Sequence, residues 1–594
     1  MAHSPNSGSA ISRAACLMLT AIAVSQAQIK PKPADLAAAS TAMQQGIAAA
    51  NRNDLPAAAA AFVRATQLVP TLEPPQAALG SILLAQGDLP AAARTLARAH
   101  TLDPNDLATT LNLARTLTAQ ADYPTALPLF HQALTSPNPP ALSPEESLAY
   151  ATTLSATGNP TEAQSQLTQA LTATPDSALL HDALGVLLVQ SRHLPEAVPH
   201  FERATQLDPA YTQAQLHLGT TLLLLGQPDQ AIPPLRKAAT QAPTSFDAHL
   251  QLGRALSAAR QDQPALTELH RAAELRTPAT PPAAIYDLAL ALEASGDSAS
   301  SLPLFAASAH ALGSSEALIN YALARVQTGD AIGALPLYAK AVTLGPDSAT
   351  LREDYGVAYL QQSDLDHAIT QFRAGLALDP QSPHLHYDLG LAFKLKDDLP
   401  ASITELQLAS TLDPTLPDPA YTLGVIYMQQ GRYPDAIAQL RRATTLQPTN
   451  GDAWALLGGV LKDSDDTPAG AQQAIEALRH ASALQPDQPS LHIQIAALLI
   501  RTNQPEQAAA ERKTAAELSR AAVAQQRASF SLRSGRTLLA QGKLPEAIVQ
   551  LNAAIAADPK APEPHTLLAE ALTRQGKPAE AAIERQRALT LKTP

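Results

Sequence analysis

The chain repeats one local pattern at a period of 34 residues. Prolines that close one segment of the pattern stand at this spacing in two runs: Pro175, Pro209 and Pro243, and then Pro346, Pro380, Pro414 and Pro448. A second mark, Leu-Gly or a close variant, recurs about half a period away, as at Leu389-Gly390 and Leu423-Gly424. A fixed period of this length indicates a repeat architecture built from stacked units. Two marks in each period predict two segments in each unit.

Each segment has the pattern of an α-helix. From Ala420 onward, Leu423 and Tyr427 recur at helical spacing, and Gly431 provides a helix end. The next segment starts near Pro434, where a missing N–H group costs nothing because the first turn of a helix leaves that group unpaired. The closing proline then ends the second helix, since it restricts the residue before it. The sequence therefore predicts an all-α fold with essentially no sheet.

These marks together resemble those of the tetratricopeptide repeat (TPR) family. The clearest matches are Trp454 with Leu457-Gly458 for the first helix, and Ala368, Phe372, Gly375 and Pro380 for the second helix and its end. The resemblance implies an α-solenoid, a right-handed superhelix of about sixteen TPR-like helix pairs. We expect these units to run from residue 39 to the C-terminus.

Departures from the period divide the array. Residues 504–527 lack a closing proline and are rich in Ala, which predicts one atypical long helix acting as a joint. The predicted organisation is a signal peptide over 1–27, a linker over 28–38, a TPR array over 39–503, the long helix over 504–527 and C-terminal TPR units over 528–594.

The N-terminus has the pattern of a bacterial secretory signal. Arg13 precedes the apolar run Ala14 to Val24, and Ser25 and Ala27 fit the small-residue rule for cleavage after Ala27. We therefore expect a periplasmic or secreted protein; the alternative is a disordered, Ala-rich leader. The apolar run is too short to span a bilayer, and no later run exceeds it, so no transmembrane segment is expected in the mature chain. Cleavage there would also remove Cys16, the single cysteine.

Charge is distributed unevenly along the chain. Residues 501–594 contain 14 Lys/Arg against 9 Asp/Glu, a net charge of +5, so the other 500 residues carry −17 of the total of −12. An acidic body argues against nucleic-acid binding, for which a basic face supplies the main attraction.

No arrangement for chemistry can be assembled from the sequence. Phosphate-binding loops, dinucleotide-binding glycines, His-Glu-x-x-His and Gly-x-Ser-x-Gly are all missing, so no enzyme activity and no catalytic, cofactor-binding or metal-binding residues are expected. Five histidines stand three residues before the Leu of Leu-Gly or its equivalent: His181, His249, His386, His492 and His565. Because Trp454 fills the same position in another unit, repeat packing explains these histidines better than a metal.

Polar residues recur immediately before the Leu of Leu-Gly, a place that we call the pre-Leu-Gly position. It holds His217, Gln251, Asp287, Asn320, Asp354, Asp388 and Thr422, and four of these follow Tyr286, Glu353, Tyr387 and Tyr421. In the family that the chain resembles, the first helix of each pair lines the concave face of the superhelix. We therefore predict that these eleven residues form a partner-binding groove. The alternative is an ordinary solvated face.

The sequence thus favours a non-enzymatic scaffold that binds protein or peptide segments, without a cofactor. The acidic residues between Tyr286 and Thr422 predict a preference for segments that carry Lys or Arg. The alternative function is an accessory TPR component of a glycosyl-transfer or polysaccharide-export complex.

Overall fold

A computed structural model describes residues 31–592 of the protein. This part of the chain contains 31 α-helices and no β-strand. The all-α fold predicted from the repeat pattern is therefore confirmed. The predicted signal peptide lies outside the described residues.

We number the helices α1 to α31 in chain order. Their bounds are α1 Pro33–Asn51, α2 Leu55–Leu68, α3 Glu73–Ala85, α4 Leu89–Leu102, α5 Leu107–Ala119, α6 Tyr123–Leu134, α7 Pro144–Ala156, α8 Pro160–Ala173, α9 Ala178–Gln190, α10 Leu194–Leu207, α11 Thr212–Leu224, α12 Pro228–Gln241, α13 Phe246–Ala258, α14 Asp262–Glu274, α15 Pro282–Ala294, α16 Ser298–Leu312, α17 Ser315–Gln327, α18 Ala331–Leu344, α19 Ala349–Gln361, α20 Leu365–Leu378, α21 Pro383–Leu395, α22 Leu399–Leu412, α23 Pro417–Gln429, α24 Tyr433–Leu446, α25 Gly451–Ser464, α26 Pro468–Leu484, α27 Pro489–Arg501, α28 Pro505–Ala540, α29 Leu544–Ala557, α30 Pro562–Arg574 and α31 Pro578–Lys592.

The chain forms two compact units, and the boundary between Leu304 and Phe305 falls within α16. Within each unit, a first helix packs against the second helix that follows it, as α9 does against α10 and α19 against α20. First helices of neighbouring pairs also touch one another: α9, α11 and α13 do so in the first unit, and α19, α21, α23 and α25 in the second. We call the surface made by these first helices the first-helix face of each unit.

The glycine of Leu-Gly is explained by close contact between the two helices of a pair. A Cβ atom at Gly356 would lie 2.4 Å from the ring of Phe372, and one at Gly185 would lie 2.6 Å from the ring of Phe201. Both phenylalanines are fully buried in the second helix of their pair. Only glycine lets the first helix lie this close to the large side chain of the second helix.

The long helix predicted at 504–527 is α28, which runs over Pro505–Ala540 and has 36 residues. It extends further than expected because no proline interrupts it before the turn at Gly542, whose φ of 74° suits glycine. Its two ends pack on α27 and on α29, so α28 is the second helix of one pair and the first helix of the next. With α28 counted twice, the 31 helices make sixteen pairs. The first helix begins at Pro33, within the predicted linker.

Candidate partner-binding surface

The eleven predicted groove residues all lie on first helices. Four belong to the first unit: His217, Gln251, Tyr286 and Asp287; the other seven belong to the second unit: Asn320, Glu353, Asp354, Tyr387, Asp388, Tyr421 and Thr422. Ten of them are half-buried, and Thr422 is buried, with 4% of its surface exposed. Thr422 therefore presents very little of its surface to a partner.

In the first unit, the two predicted residues at the start of the set already have intramolecular partners. His217 Nδ1 lies 2.8 Å from Asp182 Oδ1, and the Tyr211 hydroxyl donates to Asp182 Oδ2 at 3.2 Å. Asp182 is 5% exposed. Arg254 Nη1 donates to Gln251 Oε1 at 3.3 Å. His217 therefore links two neighbouring first helices, α11 and α9, whereas the Gln251 contact lies within the single helix α13.

Asp182 was missed by the sequence reasoning. It stands two residues before Leu184, the place that Glu353 occupies in a later unit, so repeat alignment could have found it. Together with Tyr211 it lines a cavity of about 430 Å³ whose other walls are largely apolar. Asp287 lies elsewhere, in a cavity of about 500 Å³ that also contains Arg254 and Arg260.

In the second unit, three carboxyl groups form what we call the acidic triad: Glu353, Asp354 and Asp388. Glu353 and Asp354 are consecutive on α19, and Asp388 lies on α21, which packs against α19. Burial, and then the charges of Glu353 and Asp354, raise the pKa of Asp388 to about 7. Burial, and then the charge of Glu353, raises the pKa of Asp354 to about 6. Asp388 therefore keeps its proton in part of the molecules near pH 7, and Asp354 does so near pH 6.

Glu353 differs from the other two members of the triad because a nearby histidine affects its pKa. Burial raises the pKa of Glu353, while the nearby His384 acts in the opposite direction. Tyr387 precedes Asp388 on α21; burial raises the pKa of its hydroxyl, and a hydrogen bond from the Thr422 side chain opposes this effect. Thr422 thus contacts Tyr387, on the neighbouring first helix, through a side-chain hydrogen bond.

Three tyrosines that were not among the predicted residues lie on α18 and α19, the helix that carries Glu353 and Asp354. Tyr338 is fully buried, and among residues 31–592 its hydroxyl has no hydrogen-bond partner. Burial, and then the charge of Asp354, raises the pKa of the Tyr338 hydroxyl. The rings of Tyr338 and Tyr355 lie 5.6 Å apart, and those of Tyr355 and Tyr359 stack at 4.9 Å. The tyrosines of this unit could have been noticed as an unusual local concentration.

The recurring histidines make packing contacts between the helices of a pair. His249 Nδ1 lies 2.6 Å from Glu268 Oε2, and His386 Nδ1 lies 2.6 Å from Glu405 Oε2. Their Nε2 atoms face the closing prolines, at 3.3 Å from Pro243 O and 3.2 Å from Pro380 O. In the same way, Trp454 Nε1 donates to Pro448 O at 3.0 Å. This common contact is why His and Trp share one position in the repeat.

Two models of the TPR family match the sequence. The model described as tetratricopeptide repeat matches residues 43–106, 77–143, 148–210, 183–246 and 286–349, and the model described as TPR repeat matches residues 356–397, 424–464 and 535–576. Together they cover more than half of the chain. The chain is a tetratricopeptide repeat protein.

Solved structures similar to this TPR protein include the APC/C hetero-tetramer Cut9-Hcn1, at 15% identity over 82% of this chain and 98% of that chain, with a TM-score of 0.35. MamA 41-end from Desulfovibrio magneticus RS-1 is 20% identical over 30% of this chain and 97% of that chain, with a TM-score of 0.27. YrrB, described as a TPR protein with an unusual peptide-binding site, is 21% identical over 32% of this chain and 96% of that chain, with a TM-score of 0.26. No curated protein matches the chain.

The TPR repeats support a protein-interaction scaffold whose partners are proteins or peptides. A stack of helix pairs exposes a long surface, and such surfaces are what repeat proteins use for binding. Within residues 31–592, no helix combines the length and the apolar character needed to cross a membrane.

Proposed function

We propose that this TPR protein binds protein or peptide segments carrying Lys or Arg, and that the acidic triad on the first-helix face of the second unit receives the cation. The observation that carries the proposal is the placement of Glu353, Asp354 and Asp388 together on two packed helices, α19 and α21. Three carboxyl groups in one place repel one another when ionised. A bound ammonium or guanidinium group relieves that repulsion.

Partial burial makes such a cation more effective. The carboxyl groups of Asp354 and Asp388 have lost part of their hydration, and burial is the main cause of their raised pKa values. In this less polar setting, a charge-assisted hydrogen bond from Lys or Arg is stronger than at an open surface. Tyr387, half-buried and adjacent to Asp388, offers aromatic area against which the stem of the basic side chain packs, and the half-buried Tyr421 offers more on α23, the first helix that follows.

The net charge of the chain supports the same partner class. With a formal charge of −12, the protein attracts basic segments and repels acidic ones over distances of about one Debye length. The attraction raises the association rate, whereas the triad supplies the specific contact.

We also propose that the protein is exported after cleavage behind Ala27. The proposal rests on Arg13, the apolar run that follows it and the small residues Ser25 and Ala27. Its test is given with the other predictions below.

The binding proposal is tested with a displayed library of random peptides selected against the full chain. We expect the selected peptides to be enriched in Lys and Arg. Binding should then weaken by at least about tenfold in the variant Glu353→Gln/Asp354→Asn/Asp388→Asn, because the polar shape remains and the charge is lost. Selected peptides without such enrichment would contradict the proposal.

A charge-matched control separates the triad from the general acidity of the protein. Glu316→Gln/Glu476→Gln/Asp487→Asn removes three exposed carboxylates of the same unit. We expect this control to change affinity little at 0.15 M salt. An equal loss in both triple variants would show that net charge alone, and not the triad, attracts the peptides.

A further inference from the structure

One of the five recurring histidines has a different partner from the other four. Four of them pair with a glutamate 19 residues later, with the Nδ1 and Oε2 atoms 2.5–2.6 Å apart: His249–Glu268, His386–Glu405, His492–Glu511 and His565–Glu584. The fifth, His181, has His200 at the corresponding place, and the two Nδ1 atoms lie 3.1 Å apart. One repeat therefore places two imidazole rings side by side at the position where four other repeats have a His–Glu pair.

The surroundings fix which nitrogen of His181 carries a proton. His181 Nε2 lies 3.0 Å from the carbonyl oxygen of Pro175, so Nε2 is the donor. In the neutral ring Nδ1 then presents its lone pair, and the hydrogen bond between the rings is donated by His200 Nδ1. When one nitrogen of a histidine binds a metal, the N–H group on the other side of the ring commonly donates to a carbonyl oxygen, which fixes the tautomer and the orientation of the ring.

We propose that His181 and His200 bind a divalent transition-metal ion of the zinc class through their Nδ1 atoms, with Glu196 or His193 as a third protein ligand. All four side chains line one cavity of about 540 Å³ in the first unit. His181 is on α9, His193 is the residue just before α10, Glu196 is in the first turn of α10, and His200 is in its middle. Imidazole with one carboxylate is a ligand set that suits zinc.

The separation of the two Nδ1 atoms fits a shared metal ion. Two nitrogens that each lie 2.0–2.1 Å from one zinc ion, at angles between 90° and 110°, are about 2.9–3.4 Å apart. Binding requires both rings to turn so that the lone pairs converge on the ion, and the His200 proton moves from Nδ1 to Nε2 through solvent.

The third ligand has to come from a side chain that moves. Among the described residues, no group of three or more His, Cys, Asp or Glu side chains is already arranged to hold a metal ion. Glu196 and His193 are both exposed, so their side chains can turn at small cost. Glu196 stands four residues before His200 on the same helix, a spacing that puts both side chains on one face.

The test is titration of the tag-free full chain with Zn²⁺ by calorimetry at pH 7.5. We expect one site that is lost, or weakened by at least about tenfold, in His200→Glu. This variant restores the His–Glu pair that four other units use, so the helix pair keeps its packing, which circular dichroism during heating confirms. Absence of binding at Zn²⁺ concentrations up to about 100 µM, or equal binding by His200→Glu, would overturn the proposal.

Two further variants test the rest of the ligand set. A loss of affinity in Glu196→Gln or in His193→Gln identifies the third ligand, and no loss in either overturns the proposed set. The matched control is His386→Gln, which removes the histidine of a His–Glu pair in the second unit. It should leave the Zn²⁺ affinity unchanged, and a loss as large as that of His200→Glu would show that zinc binds the recurring histidines in general.

Discussion

Tyr338 occupies the repeat position that Phe372 fills 34 residues later, and both side chains are fully buried. The two differ by one hydroxyl group, which in Tyr338 has no hydrogen-bond partner within the part of the chain that the structure describes. An unpaired hydroxyl in a protein core costs about 1–3 kcal/mol. The structure therefore carries a polar atom beside the acidic triad that packing alone does not require.

We expect Tyr338→Phe to raise the free energy of unfolding by about 1 kcal/mol, because the ring stays and the unpaired hydroxyl goes. Urea denaturation followed by Trp454 fluorescence measures this, since the only tryptophan of the chain lies in the same unit. Phe372→Tyr is the reverse control and should destabilise the protein. A destabilised Tyr338→Phe variant would mean that the hydroxyl has a partner in solution.

Adjacent glycines in α25 should respond to alanine in opposite directions. A Cβ atom at Gly458 would lie 2.6 Å from Leu478 Cγ, whereas one at Gly459 would meet nothing within 4 Å. Gly458→Ala should therefore cost about 1–3 kcal/mol through overpacking. Gly459→Ala should add about 0.5–1 kcal/mol, because alanine loses less entropy in a helix. Equal effects in urea denaturation would contradict the close helix contact.

The stability of the second unit should fall as the pH rises from 5 to 8. Asp354 and Asp388 have folded-state pKa values of about 6 and about 7, raised from an ordinary value of 3.8. A carboxyl whose pKa is raised by folding favours the folded state below the unfolded pKa, and this contribution is lost as the pH passes the folded pKa. Trp454 fluorescence in urea at each pH provides the measurement.

Asp388→Asn should flatten this pH dependence, because the amide does not titrate. The variant should gain stability over the unmodified chain at pH 8 and lose that advantage at pH 5. Asp487→Asn, at an exposed residue of the same unit, is the control and should preserve the slope. An unchanged slope in Asp388→Asn would show that this carboxyl ionises as freely in the folded state as in the unfolded state.

The middle of α28 should open more readily than the rest of the second unit. Between the buried residues Ala515 and Ala528, only Leu518 and Ala524 are even half-buried. Few tertiary contacts mean a low free energy of local opening. Hydrogen exchange should therefore be faster over residues 517–527 than in α21. Equal protection in both would contradict a joint at this place.

The N-terminal prediction concerns residues outside the described range. We expect the protein isolated from its native host to begin at Gln28, because Ala27 and Ser25 provide the small residues that a signal peptidase needs. Intact mass measures this directly. Ala27→Asp should block cleavage at this site, and an unmodified chain that keeps residues 1–27 would refute the prediction.

The period, the helix pairs and the long helix could be predicted because they depend on short-range signals. Proline at helix starts, glycine at turns and Leu-Gly at helix contacts act within one or two turns of the chain, so a single sequence shows them. The eleven candidate residues were also placed correctly on first helices, since helical spacing determines the face of a helix on which a residue lies. The intramolecular contacts of these residues could not be predicted from helical spacing.

Only the tertiary structure decided which polar groups are engaged and which are not. Asp182 lies within hydrogen-bonding distance of His217, and Thr422 is buried. Neither could be predicted, because contacts between helices of successive pairs depend on the size of side chains that are 30 or more residues apart in the sequence. The same contacts bring Asp388 beside Asp354 and raise their pKa values through burial. Sequence determined the repeat and its faces, whereas packing between repeats determined the electrostatics of the surface, because desolvation depends on what surrounds a group and not on its neighbours in the chain.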